Sequence, residues 1–383
     1  MNPQDLLSHF SILKDYRQDW KVEHKLSDVL LLTVCGVIAG AEGWEEIADF
    51  GDTHLEWLKC YGDFDNGIPS HNTIARVIGR LNPSQMQSCF SEWMQSCHTL
   101  TEGSIIAIDG KTLRSSYDKS RRRGAIHMIS AFCVENGMVM GQLKTAEKSN
   151  EITAIPELLK LLEIRGCLVT LDAMGCQRAI AKAIVDKEAD YLLAVKGNQP
   201  RLEKAFKDLF PMHRLVDYDG DYYSTTETSH GRKETRLYVV SDLFDDFVNL
   251  SFDWPGMKSV GVAISFRQEG ETIPDHAQIR YYISSEVLTA ERFAQAVRQH
   301  WHIENKLHWS LDVAFKEDAC RIRREDAAEN LAAIRHIAMN FLKSEKTFKA
   351  GIQRKRKKAA MSWEYLSQVL LTRWQFISDI MRT

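Results

Sequence analysis

Two short apolar runs, Ile105 to Ile108 and Cys167 to Leu171, each end on an acid, Asp109 and Asp172. Runs of this length and purity read as buried strands, and two such strands lying parallel need a crossover between them. The chain keeps to that plan. Ala125 to Val134 and Met138 to Leu143 flank Glu135-Asn136-Gly137, a turn signal that joins them as a hairpin. A helix carrying Ile155, Leu158, Leu159 and Leu162 follows, and beyond Asp172 come a helix from Gln177 to Lys187 and a strand from Tyr191 to Val195 that ends at Lys196. The order β-β-β-α-β-α-β predicts a mixed α/β core in which the two aspartates end neighbouring strands. They would offer two hard oxygen ligands at one edge of a sheet, where Mg²⁺, or Mn²⁺ in its place, could be held.

Helical periodicity dominates before this core. Leu26, Val29, Leu30 and Val34 recur at three- and four-residue steps, and Trp44, Ile47, Ala48 and Phe50 continue after a glycine break, so residues 1–100 are predicted to form an all-helical N-terminal domain. Within it Pro69-Ser70-His71-Asn72 gives a turn and an N-cap ahead of a helix with Arg76 and Arg80 on one face. That pattern suits either a surface helix with solvated arginines or the recognition helix of a helix-turn-helix. After the core, residues 210–285 are β-rich, with alternating segments Thr235–Val240, Ser259–Phe266 and Gln278–Ser284 that read as an inserted sheet. Helical patterning returns from Leu288 to Leu342 and completes a domain over 101–345. Residues 346–383 read as a basic linker and an amphipathic helix from Trp363 to Met381.

At 383 residues and a formal charge of −3 the chain has no global basic bias, so any polyanion must be met by patches, of which Arg121-Arg122-Arg123 and Arg354-Lys355-Arg356-Lys357-Lys358 are the densest. The eight cysteines form no C-x-x-C pair and read as reduced, buried thiols. The start of the chain lacks a signal-peptide plan, and the longest apolar run, Val29 to Ala41, is too short to span a bilayer. A soluble cytoplasmic protein that does not engage membranes is the expectation.

A third carboxylate would complete a cation site, and the candidates on the late helix are Glu304, Asp312, Glu317 and Asp318. On a helical projection Ile303, Leu307, Leu311 and Ala314 form the core stripe, with His300, Glu304 and His308 in a row beside it. A carboxylate bordering the core stripe looks along the sheet edge, which favours Glu304, with Asp312 on the same row as its competitor. Three carboxylates around two Mg²⁺ ions roughly 4 Å apart suit phosphodiester chemistry. Lys111, Arg114 and Lys196 beside the acids could hold phosphates. Trp301 and Trp309 are packing residues or base-stacking platforms. Gly110-Lys111-Thr112 is no phosphate-binding loop, because Ile105 stands where that motif needs glycine. His300, His302 and His308 lack the spacing of a zinc site.

The segments Ala107-Ile108-Asp109-Gly110-Lys111-Thr112-Leu113-Arg114, Glu147-Lys148-Ser149-Asn150-Glu151-Ile152, Thr170-Leu171-Asp172-Ala173-Met174, Ala194-Val195-Lys196-Gly197-Asn198-Gln199 and His300-Trp301-His302-Ile303-Glu304-Asn305 resemble those of the H-repeat-associated proteins, a bacterial insertion-sequence family of DDE transposases. The likeness covers nearly the whole chain, including Asp15-Tyr16-Arg17 and Glu42-Gly43-Trp44 in the helical region. It implies an RNase H-like catalytic core with a β-rich insertion, and Asp109, Asp172 and Glu304 as the metal-holding catalytic triad. It also implies double-stranded DNA as partner, both element ends and target, and homo-oligomers assembled on DNA at the nucleoid. The expected activity is metal-dependent hydrolysis and strand transfer. The alternatives are a vestigial or domesticated DNA-binding protein and a nuclease that does not join ends. One departure stands out: where related transposases surround the glutamate with Tyr, Arg and Lys, this chain has Val297, His300 and Leu311. Arg298, His302, Asn305 and Lys306 are the substitutes by proximity for contacting DNA.

Overall fold

The computed structural model describes residues 3–371 apart from short segments at 98–99, 101, 118–123, 146–150, 212–214, 216–217, 230–231, 243–246, 248–249 and 270–276. Arg121-Arg122-Arg123, residues 147–150 of one motif and the end of the last helix lie outside the described residues. At the centre are three strands, β1 (Ile105–Leu113), β4 (Leu168–Leu171) and β5 (Asp190–Val195), paired in parallel. Ile105 to Ile108 and all of β4 are buried, which is why they are apolar throughout instead of alternating. On one side β2 (Ile126–Cys133) and β3 (Met138–Lys144) continue the sheet antiparallel as a hairpin around Gly137, whose positive φ of 69° the turn needs.

On the other side β9 (Gln278–Ser284), β8 (Ser259–Glu269), β7 (Arg232–Asp242) and β6 (Tyr222–Ser229) pair antiparallel in turn onto β5. The β-rich block is therefore continuous with the core sheet, and the nine strands run β3-β2-β1-β4-β5-β9-β8-β7-β6. Strand β6 is not announced by the sequence, because its residues, Tyr-Tyr-Ser-Thr-Thr-Glu-Thr-Ser, carry almost no apolar alternation.

Helices Leu26–Ile38, Trp44–Leu58, His71–Gly79 and Pro83–Cys97 make up most of the N-terminal region. The Ser70 side chain caps the third, accepting the Thr73 N–H, a contact that contributes about 1 kcal/mol. Ile74, Val77 and Ile78 on that helix are buried; Arg76 and Arg80 are both exposed, with Arg80 ion-paired to Glu325. Helix Ala327–Ser344 joins this region to the sheet, packing against helices 26–38, 71–79 and 83–97 and against β3. Its Asn340 accepts the Val139 N–H at 3.0 Å and donates to the Val139 carbonyl at 2.8 Å, closing part of the outer edge of the sheet.

Three expectations need correction. The helical stretch from Leu288 to Leu342 is broken: helix Ala290–His300 passes through a π-helical segment, Ile303–His308, into Trp309–Ala314, and a loop with Lys316 at positive φ precedes Ala327. The basic linker is a helix, Ile352–Met361, that buries Lys355 and Arg356. Lys355 donates to the carbonyl of Leu342 and Arg356 to those of Val37 and Ala314, all in the last turns of helices, where orphan acceptors and the dipole favour cations. Of the cysteines, Cys60 is exposed and Cys97 and Cys320 half-buried. Among the described residues no helix is long and apolar enough to cross a membrane.

Candidate active site

The parallel ladder between β1 and β4 ends at the pair Ile108 and Leu171, so Asp109 and Asp172, one residue on, lie level on adjacent strands. Asp109 is not at a strand end, because β1 runs on to Leu113 against β2; it sits where β1 loses its β4 neighbour. Asp172 leaves the ladder into a tight turn, its Oδ1 accepting the N–H groups of Met174 at 2.9 Å and Gly175 at 3.2 Å. Glu304 comes from the π-helical segment, where Ile303 and Leu307 are fully buried and hold it against the core. A π segment carries about one more residue per turn than an α-helix and redirects the helix beyond it.

All three acids line one cavity of about 160 Å³, together with Lys196, Arg280, His300 and Trp301. Burial pushes the Asp109 carboxyl up to about 7, against the Gly110 N–H that favours its charged form, and the carboxylates of Glu151, Asp172 and Glu304 push it the same way. His308 stands with Nδ1 3.8 Å from Asp109 Oδ2, but burial holds its pKa down near 4 and leaves it neutral. His300 is likewise lowered to about 4 by burial and shares a 3.0 Å hydrogen bond with the Thr170 hydroxyl. The cavity thus gathers three carboxyl groups, with Lys196 and Arg280 on its wall. The donors fit hard divalent cations in type and in sharing one cavity. Among the described residues, however, no three His, Cys, Asp or Glu side chains converge closely enough to hold an ion as they stand.

Glu151, part of a segment that carries the resemblance but assigned no role there, is a further neighbour of the acids. It opens helix Glu151–Lys160, and its carboxylate lies 2.7 Å from Nε2 of His127, which reaches Thr112 Oγ1 through Nδ1 at 2.9 Å. The pair packs on the backbone of Gly110, where a Cβ would overlap both Glu151 Oε1 and His127 Nε2. Gly110→Ala is expected to dislodge the pair and destabilise the fold by about 1–3 kcal/mol. Urea unfolding checks it, and a wild-type midpoint would mean that the pair moves aside freely.

Asp312, the competitor of Glu304, belongs elsewhere. Lys111, on β1 two residues after Asp109, places its ammonium 2.7 Å from Asp312, 3.1 Å from Glu317 and 3.0 Å from Asp318. Lys111 is only 10% exposed and Glu317 2%, so this is a buried ion cluster tying β1 to the chain that follows Glu304. Lys111, expected to face phosphates, thus has three carboxylates as its neighbours within the fold. Arg114 is exposed, with Nε 3.3 Å from Asp318. Lys196 is exposed at the acid cavity. Arg298, His302 and Asn305 line a second cavity on the other side of Trp301, with Arg298 paired to Glu227 at 2.6 Å, and Lys306 is exposed on the π-helical segment. Trp309 is 62% exposed, more than packing alone requires.

Residues 100–341 match the family described as "Transposase DDE domain", and residues 7–94 match the region described as "DDE_Tnp_1-associated". The chain is 57% identical over 373 residues to "H repeat-associated putative transposase YhhI" of Escherichia coli (strain K12), covering 97% of this chain and 98% of that one. It is 56% identical over 371 residues to "Putative transposase YncI" of Escherichia coli O157:H7, covering 97% and 95%. Among solved structures, the piggyBac transposase synaptic complex with hairpin DNA aligns at a TM-score of 0.45 and 10% identity, over 100% of this chain and 84% of that one. With a DDE domain over most of its length and relatives of matching length above half identity, the chain belongs to the H-repeat-associated family of bacterial insertion-sequence DDE transposases.

Proposed function

We propose that this protein binds the ends of its own mobile element, cuts them by metal-assisted hydrolysis and joins the freed 3′-hydroxyl to target DNA. One observation carries the reading: Asp109, Asp172 and Glu304, from three separate elements, line a single cavity. Residues 101–345 form the catalytic part in this reading. Its first five strands, in the order β3-β2-β1-β4-β5 with β2 antiparallel to its neighbours, support an RNase H-like core. The helical residues 1–100 would take part in holding DNA.

The three acids are the residues that would hold Mg²⁺ or Mn²⁺, which when bound favours ionisation of the attacking water or 3′-hydroxyl and stabilises the leaving oxygen. The chain's own contribution is to aim them. The Met174 and Gly175 N–H groups fix Asp172, the Lys111 cluster fixes the segment after Glu304, and neutral His300 and His308 pack around the acids without competing as cations. Lys196, exposed on the wall of the acid cavity, suits a backbone phosphate there, and Arg114, exposed beyond the end of β1, suits one farther along the duplex. Assembly on DNA as a homo-oligomer follows from the need to hold two ends together.

Purified protein with Mg²⁺ or Mn²⁺ is expected to nick DNA carrying the sequences that flank its gene, at the element boundary, and to join pre-cut ends to a target plasmid. Cutting without joining would reduce the reading to a nuclease. Binding without cutting would reduce it to a DNA-binding protein.

A further inference from the structure

The glutamate-bearing helix brings no cation to the acid cavity: Val297 is apolar, His300 is half-buried and hydrogen-bonded to Thr170, and Leu311 is in the core. A phosphodiester entering a cavity walled by three carboxylates needs positive charge near it, because two like charges at close range in a poorly solvated site repel by several kcal/mol (about 4 kcal/mol at 4 Å and an effective dielectric of 20). The described residues offer two sources, Lys196 and Arg280, both on the cavity wall. They come from adjacent strands. Val195 of β5 pairs with Tyr281 of the antiparallel β9, so Lys196 and Arg280 are the next positions at the end of that ladder.

Arg280 differs from the other arginines nearby. Arg236 is committed to Glu227 at 3.0 Å and Glu234 at 2.5 Å, and Arg298 to Glu227 at 2.6 Å. Arg280 has no carboxylate partner among the described residues; its guanidinium lies over the Trp301 indole, 4.9 Å from the ring centroid. Stacking of this kind covers the face of the guanidinium and leaves N–H groups at its edge for a planar, bidentate acceptor. Arg280 and Trp301, with Val297, are also the walls shared by the acid cavity and the second cavity of about 350 Å³, which Arg236, Arg298 and Asn305 line. Glu234 lines the second cavity too and, with Glu227, offsets Arg236 and Arg298, so Arg280 is the arginine with uncommitted charge where the two cavities meet at the stacked pair.

We propose that Arg280 binds a DNA backbone phosphate next to the one cut, on a strand that runs from the second cavity past Trp301 to Asp109, Asp172 and Glu304. This rests on the DNA-cutting reading above and names the residue that the glutamate-bearing helix does not supply. The cation comes instead from the β-rich block, so that block contributes to the substrate path as well as extending the sheet.

The test uses the full chain and a fluorescent duplex carrying the gene-flanking sequence, without divalent cation so that nothing is cut. Affinity is measured over a range of KCl concentrations for wild type, Arg280→Gln, Arg280→Met and Arg280→Lys. Each phosphate neutralised contributes a slope of about −0.9 in log affinity against log salt, so Gln and Met should make the slope shallower by about that amount. They should weaken binding about tenfold at low salt, as expected for the loss of a hydrogen-bonded ion contact. Arg280→Lys should keep the slope, because it keeps the charge, yet cut more slowly when Mg²⁺ is added, because it loses the bidentate geometry. A purely structural residue would not alter the salt slope. Wild-type affinity and slope in Gln and Met overturn the proposal, and so does failure of both to fold, since Arg280 would then serve the fold. Wild-type protein that does not bind the duplex overturns the DNA-cutting reading and this inference with it, an outcome distinct from unchanged variants.

Discussion

Asp109→Asn is expected to abolish DNA cutting and, at the same time, to make the protein more stable above neutral pH. Loss of a carboxylate that holds catalytic cations removes several kcal/mol of transition-state stabilisation, so cleavage should fall at least about a thousandfold. The stability gain follows from the raised carboxyl, about 7 in the fold against an ordinary 3.8. Between those values the folded chain holds a proton that the unfolded chain has released, so stability declines as pH rises through the window and the penalty is complete above its upper end. Asparagine removes the buried charge. The variant should match wild type near pH 4 and exceed it near pH 8, by at most about 4 kcal/mol for a shift of this size and less with residual solvent. Mg²⁺ should restore stability to wild type at pH 8 and have a smaller effect on the variant. Thermal unfolding across pH, with and without Mg²⁺, reads all of this. Residual cutting, or a variant less stable than wild type at pH 8, would remove Asp109 from the role given to it.

The second large effect is on folding and falls on Lys111. Its ammonium faces Asp312, Glu317 and Asp318, and with Arg335 no closer than 3.8 Å to Glu317 it is the principal cation of that cluster. Lys111→Met keeps the stem and removes the charge, stranding carboxylates of which Glu317 is almost wholly buried. Breaking a buried pair from one side costs about 3–5 kcal/mol. Glu317→Gln in the same chain should return part of that loss, because it removes one of the stranded charges. Urea unfolding of the two single variants and the double variant measures it; a loss below about 1 kcal/mol in Lys111→Met would show that solvent screens the cluster.

What the sequence makes legible depends on how far each inference has to reach. The two aspartates are readable because strand, acid and crossover all lie within one stretch of chain, and the register of Ile108 with Leu171 brings them level. Glu304 is favoured over Asp312 by a burial stripe that holds in the fold: Ile303, Leu307 and Leu311 are all inside. Lys111 misleads because its partners lie some two hundred residues away, in a segment that reads as uninterrupted helix. Lys355 and Arg356 mislead for a related reason. Charge runs usually mean solvent, but these two meet helix-end carbonyls that no local pattern announces. Arg280 carries no signal of its own, and the motif that contains Glu151 does not say where its carboxylate goes, since the proximity of both to the acids depends on strand register and on a helix start.

The wide turn that carries Glu304 has a consequence for how such a chain can change. Elsewhere on a buried helix, direction is fixed by spacing, and substitution is the ordinary route of variation. In Ile303–His308 the extra residue itself sets the heading of the acid. Removing one residue there would let the backbone relax to an ordinary helical turn, with the core stripe able to reseat and Glu304 swung away from Asp109 and Asp172. On the proposed reading, a copy altered in this way would keep its fold and all three acids, yet fall silent, by a change in length that no inventory of side chains would register.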